Sequence, residues 1–131
     1  MAEVPNINMS AFEKVSTIAD SNNDSPVLML NLNTYFDGRR TMSSAAYSKY
    51  NEAVKDVLRE VEGKVIWRSP VYGQPVGVQI VDEILAVWYP THKAFVELKN
   101  VPSSSRFAEA KNKVVRIAII HRCNPYTLER I

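Results

Sequence analysis

The chain has 131 residues, 46% hydrophobic and 23% charged, with a formal charge of +2. That is the profile of one globular domain with its own core, residues 1–131, and it gives no electrostatic case for nucleic acid, since no basic helix or lysine stripe tracks phosphates. No apolar stretch approaches the ~20 residues of a membrane helix, and MAEVPNINMS lacks the basic-then-apolar order of a secretory leader.

In chain order, residues 1–9 are expected to be a loose tail. Ser10 and Glu13 have capping-box spacing and open a short helix with Phe12, Val15 and Ile18 on one face. Ser21 to Pro26 break it with turn formers. A strand follows over 27–34, apolar except for Asn31 at its middle. After the polar loop FDGRRT comes the clearest element, a helix over 43–61. Its Tyr47, Tyr50, Val54, Leu58 and Val61 recur at three- and four-residue steps, and Gly63 stands where a glycine cap belongs. A second strand spans 64–69. SPVYGQPVGVQ, with two prolines and two glycines, is a loop or a bent strand edge. The third strand, 83–89, is nearly all apolar; Pro90 ends it and Thr91 caps a short helix. A serine cluster after Pro102 opens another helix through Phe107, Ala110 and Val114. The last strand covers 115–121, and residues 124–131 read as a second loose tail.

Without the extra helices the order is β-α-β-β-α-β, the ferredoxin-like split unit, an α+β fold. Its four-stranded antiparallel sheet carries helices on one face only. Yet the strands are apolar on both faces: Leu85 and Val87 alternate with Ile84, Ala86 and Trp88, and Ile117 and Ile119 with Ala118 and Ile120. A monomer would leave a large apolar sheet face in water, so a homodimer joined through sheet faces is expected.

Five segments resemble the "domain of unknown function 1330" family of the dimeric α+β barrel superfamily. They are PVLMLNL (26–32), Tyr47 with Tyr50, GKVIW (63–67), VDEILAVWYPTHKAF (81–95) and the proline-led helix from Pro102. Where the family tends to carry two glycines this chain has Glu62-Gly63. Where it often has an arginine after the YPS segment there is His92, and where its last helix commonly has a tyrosine and an arginine stand Ser104 and Lys111. The resemblance implies a sheet-to-sheet dimer with a cavity between each sheet and its helices. The superfamily fills such cavities with cofactor-free oxygenases, isomerases, cyclases and haem enzymes, and fold does not choose among them.

Asn31 is the first candidate for chemistry. An unpaired buried amide costs about 1–3 kcal/mol, so Asn31 either orients a ligand oxygen or pairs with nearby backbone. His92 falls on the first turn of a helix, whose dipole favours a proton-accepting ring; the alternative is a solvated histidine. Tyr47 either sits at a cavity mouth, its phenol holding a ligand oxygen, or belongs to the core. Tyr50, Trp67, Trp88 and Tyr89 are aromatics able to line a planar-ligand pocket or simply to pack. Lys111 either pairs with a ligand carboxylate or lies in solvent, and His121 is either a cavity-lip residue or a satisfied strand edge. The single Cys123 cannot form an internal disulfide; with two distant histidines it gives no metal site, and the setting it suggests is reducing and cytoplasmic. The scattered glycines form no phosphate-cradling loop, so no cofactor is expected.

Two readings follow. One is a cofactor-independent enzyme, of isomerase, cyclase or oxygenase type, acting on a small aromatic or enolisable acid, with Asn31, Tyr47 and His92 catalytic and Tyr50, Trp67, Tyr89, Lys111 and His121 contacting substrate. The other is a dimer that binds a small molecule, or only builds structure, without chemistry.

Overall fold

The computed structural model describes residues 6–126. Its elements are α1 (Met9–Ala19), β1 (Val27–Tyr35), α2 (Ala45–Glu60), β2 (Lys64–Pro70), β3 (Glu83–Tyr89), α3 (His92–Glu97), α4 (Ser104–Val114) and β4 (Val115–Cys123). The sheet order is β2-β3-β1-β4 and every neighbouring pair is antiparallel. This is the expected ferredoxin-like α+β arrangement, with α1 and α3 added. No helix among the described residues is long and apolar enough to cross a membrane.

Several boundaries differ from expectation for local reasons. The Asn8 side chain, not Ser10, caps α1, accepting from Ala11 N at 3.0 Å, so Asn8 and Met9 are part of an ordered helix start and not of a loose tail. Residues 1–5 and 127–131, the rest of both expected tails, lie outside the described residues. A 3-10 turn over Gly38–Ser43 precedes α2, and Ser44 caps it through Tyr47 N. At the other end of α2 the left-handed residue is Glu62 (φ 60°), not Gly63. Gly63 donates from its N–H to Leu58 O at 2.8 Å, and what it supplies is room. A Cβ there would lie 3.1 Å from Trp88 O and 3.2 Å from the Tyr89 ring.

Alternation along the strands sorts the two faces. Val27, Met29 and Tyr35 of β1 and Leu85, Val87 and Tyr89 of β3 point into the core under α2, against Tyr47, Tyr50, Val54, Val57 and Leu58. The intervening Leu28, Leu30, Leu32, Ile84, Ala86 and Trp88 lie on the other face, which no helix covers. Helix α4 packs on α2 through Phe107, stacked on Tyr50 with centroids 6.4 Å apart. Helix α1 packs beside α3, burying Val15 and Ala19.

Replacing Gly63 with Ala forces a methyl against backbone and an aromatic ring at once. We expect a loss of about 1–3 kcal/mol, measured by urea unfolding with an unchanged m-value.

Candidate functional site

Two polar centres and one groove lie on the helix-covered side of the sheet. The first centre is built on Glu83. Opening β3, it shares a face with Leu85 and Val87 and is only 1% exposed. Register sets it between Asn33 of β1 and Pro70 of β2. Its Oε1 accepts from the Tyr35 hydroxyl at 2.5 Å, with the Tyr47 hydroxyl at 2.8 Å and Arg68 Nη2 at 3.0 Å; Oε2 accepts from Arg68 Nε at 2.8 Å. Tyr47 accepts in turn from Arg68 Nη2 at 2.9 Å, and so does Asn51 Oδ1. Asn33 Nδ2 donates to the Tyr50 hydroxyl at 3.2 Å and reaches the Tyr35 hydroxyl at 3.5 Å.

A bulge brings Arg68 into this cluster. Val65 pairs with Val87 and faces the helices, so simple alternation would send Trp67 inward and Arg68 outward. The register shift between Val65 and Trp67 reverses the phase: Trp67 joins Ala86 on the open face, half-exposed, and Arg68 joins Leu85 on the inner one.

Burial pushes the Glu83 carboxyl up, but the Arg68 guanidinium and the Tyr35 and Tyr47 hydroxyls outweigh it and hold the group below the usual carboxylate range. Burial raises the phenols: Tyr35 is moved well up, Tyr50 is pushed up to about 12, and Tyr47 is also raised. The centre is therefore an ionised carboxylate satisfied by un-ionised phenols and a paired cation. The acid–base capacity of the carboxylate is consumed internally, both of its oxygens being engaged by Tyr35, Tyr47 and Arg68.

The second centre surrounds His92, which is buried. Nδ1 lies 2.8 Å from Ser25 O and 3.2 Å from Asp24 Oδ1, so the network assigns Nδ1 the proton. Nε2 then accepts from Arg122 Nη1 at 3.3 Å. Asp24 also receives the free N–H groups of His92 (2.7 Å) and Lys93 (3.1 Å) at the start of α3, while Thr91 Oγ1 receives that of Ala94 at 3.0 Å, as expected of the cap. Slight burial pushes the Asp24 carboxyl up; the backbone N–H groups of His92, Lys93 and Ser25 outweigh it and keep it low.

A groove of about 870 Å³ runs between α1 and β4. Ile7, Ala11, Phe12, Val15, Met29, Phe95 and residues 117–120 give it an apolar lining. Among the described residues its charged members are Lys14 and Arg122, and no acidic residue lines it. β4 has a strand neighbour on one side only, so its other backbone edge is unpaired by the sheet.

The predicted residues divide among these places. Tyr47 and Tyr50 belong to the Glu83 network. His92 backs Arg122 at the groove. Asn31 lies on the inner face between Met29 and Asn33, opposite Ile120; Met29 and Ile120 line the groove and Asn31 does not. Its Nδ2 donates to Met29 O at 3.1 Å and its Oδ1 has no hydrogen-bond partner among the described residues. Lys111 shares the inward side of α4 with Phe107 and Val114, and burial with no counter-charge lowers its pKa. Tyr89 is core, edge-on to Phe95 at 5.4 Å. Trp67 and the exposed His121, paired with Leu30, lie on the open face and do not meet the rest. Asn31, Tyr47 and His92 do not form one constellation. The residues sequence reasoning missed are Glu83, Arg68, Tyr35, Asn33 and Asn51 in the first centre, and Asp24, Arg122 and Lys14 at the second centre and the groove. A carboxylate in phase with Leu85, Val87 and Tyr89 was the available signal for Glu83. Among the described residues no three His, Cys, Asp or Glu side chains gather as a metal site.

Because the folded Glu83 pKa is depressed, the stability it contributes is present above the unfolded value, about 4.3, and is lost as pH falls through the lower folded value. Glu83→Gln leaves Arg68 without its counter-ion and is expected to cost about 3 kcal/mol at pH 7. The gap to the wild type should close steadily below pH 4, as followed by urea unfolding across pH.

No protein-family profile matches the chain, and no curated protein matches it. Solved structures do. The structure titled methylated RPA0582 protein is similar at 24% identity with a TM-score of 0.74, covering 99% of this chain and 100% of that one. The RPA0582 protein of unknown function from Rhodopseudomonas palustris is similar at 21% identity and TM-score 0.72, covering 98% and 100%. At these identities the likeness establishes the α+β fold.

Proposed function

We propose that the protein binds a small apolar carboxylic acid in the groove between α1 and β4, as a homodimer joined through open sheet faces in the manner of the dimeric α+β barrels and the domain of unknown function 1330 family. The observation that carries the ligand class is the lining: an apolar trough whose charged members among the described residues are Lys14 and Arg122, with no carboxylate among them to repel an acid. Arg122 presents a planar guanidinium, the group best shaped for a carboxylate. His92 orients that guanidinium from behind, and its own ring is fixed by Ser25 and Asp24.

Binding without turnover is the reading this geometry favours. The groups that would share a reaction are separated between the Glu83 network and the groove, and the Glu83 network is saturated. Turnover is the second reading, supported by one contact: an acid drawn to Arg122 arrives beside His92 Nε2. The dimer rests on the uncovered face, where Leu28, Leu30, Leu32, Ile84 and Trp88 are only partly buried within one chain.

The test is thermal shift with paired ligands, aromatic and branched aliphatic carboxylates against their primary amides. Saturable stabilisation of several degrees by acids at a hundredfold excess over Kd, absent with the amides, is expected. Arg122→Gln should abolish it, and Arg122→Lys should retain part. Equal shifts with acids and amides would remove the assignment. Release of a product from the bound acid, lost in His92→Gln, would establish the catalytic reading instead.

A further inference from the structure

The connection between β2 and β3 is an apolar arm. Residues 70–81, PVYGQPVGVQIV, contain no charged side chain. Tyr72, Val76, Val78 and Ile80 are each more than two-thirds exposed, and Val78 has no shielding at all. A loop in water ordinarily carries polar side chains; this one displays its greasiest ones.

The arm is also held in shape. Val71 N donates to Asp82 O at 2.9 Å and closes its base, and Asp82 N donates to Asn33 O at 2.8 Å. The Thr34 hydroxyl donates to Ile80 O, and the Gln74 side chain receives Gln79 N across the loop. The Arg39 guanidinium lies 4.9 Å from the Tyr72 ring centre. Gly73 and Gly77 take the positive φ values (141° and 98°) that the bends require. A fixed apolar surface loses little conformational freedom on docking.

We infer that residues 71–81 are a docking arm that grips a second copy of this chain, extending the sheet-face contact. The inference rests on the dimer proposed above and names its second element. Area is the first argument for that occupant. Four strands about 4.8 Å apart and seven residues long at about 3.3 Å each make a face of about 450 Å². A standard interface takes about 800 Å² from each partner, so the sheet alone supplies roughly half. A tyrosine, which buries about 150–250 Å², and three branched aliphatic side chains supply an area of the missing size. Symmetry is the second argument. A twofold partner brings an identical apolar face and an identical arm, so each arm gains a greasy surface to meet and each sheet gains cover.

Sedimentation equilibrium on the full chain tests this, comparing wild type, Val76→Asp with Val78→Asp, and Trp67→Arg on the open face. The expected result is a wild-type dimer whose dissociation constant rises at least tenfold in the arm variant and in Trp67→Arg, with far-UV circular dichroism unchanged. Val78→Lys alone replaces the double variant if that does not fold. A dimer weakened by Trp67→Arg but indifferent to the arm changes overturns the arm and leaves the sheet dimer standing. A dimer weakened by the arm changes alone supports the arm and overturns the sheet pairing. A monomeric wild type at micromolar concentration overturns both.

Discussion

A carboxylate that stays ionised while almost wholly buried dictates much of this molecule. Taking a charge out of water costs several kcal/mol unless paired, and Glu83 gets its compensation from two other strands and one helix at once. Tyr35 must come from β1, Tyr47 from α2 and Arg68 from β2, so the register of each strand and the rotation of the helix are fixed around one side chain. An apolar residue at 83 would tolerate a one-residue slip more readily, because grease meets grease in either phase. A carboxylate would not. The pair is thus a device of specificity more than of net stability, which agrees with the general weakness of buried ion pairs as stabilisers.

The same constraint explains the bulge in β2. A regular strand continuing from Val65 would bury Trp67 under α2 and leave Arg68 outside, stranding Glu83 among phenols. One extra residue reverses both side chains, giving the carboxylate its cation and the open face its tryptophan. Lys64 then sits 5.3 Å from the Trp88 ring on that face. The cation of the polar centre and the tryptophan of the outer face are two products of one local irregularity.

The fold was legible because its signals lie within single stretches: a stripe at three- and four-residue steps on α2, near-continuous apolar runs in β1, β3 and β4, and prolines and serines at the breaks. The order β-α-β-β-α-β follows from those alone. The site was less legible because what builds it does not. Asn31 drew attention as an amide in an apolar run, yet its donor is satisfied two residues away by Met29 O, while Asn33, the next residue on that face, reaches across to Tyr50. His92 was read as solvent-facing or proton-accepting; Ser25 and Asp24, distant in sequence, hold its ring and determine which ring nitrogen carries the proton. Trp67 was placed among the pocket aromatics, and the bulge moved it to the other face. Each departure depends on a partner from another element, which no single stretch encodes.

Saturated polar groups toward the β2 end of the sheet and unengaged ones toward the β4 end make a coherent division. The Glu83 network leaves no oxygen of its carboxylate unengaged, so it locks β1, β2, β3 and α2 into a rigid half. The β4 side is built the opposite way. Its edge strand has one neighbour, the groove lining among the described residues is apolar with two cations, and Asn31, on the neighbouring strand, keeps an unengaged acceptor. Binding sites need groups left unsatisfied by the fold, held on elements that do not yield when a ligand arrives. β1 belongs to both halves: Tyr35 and Asn33 tie it to the saturated network, and Met29, further along the same inner face, lines the groove. A single strand thereby carries rigidity from the part of the molecule that is chemically complete to the part that is not.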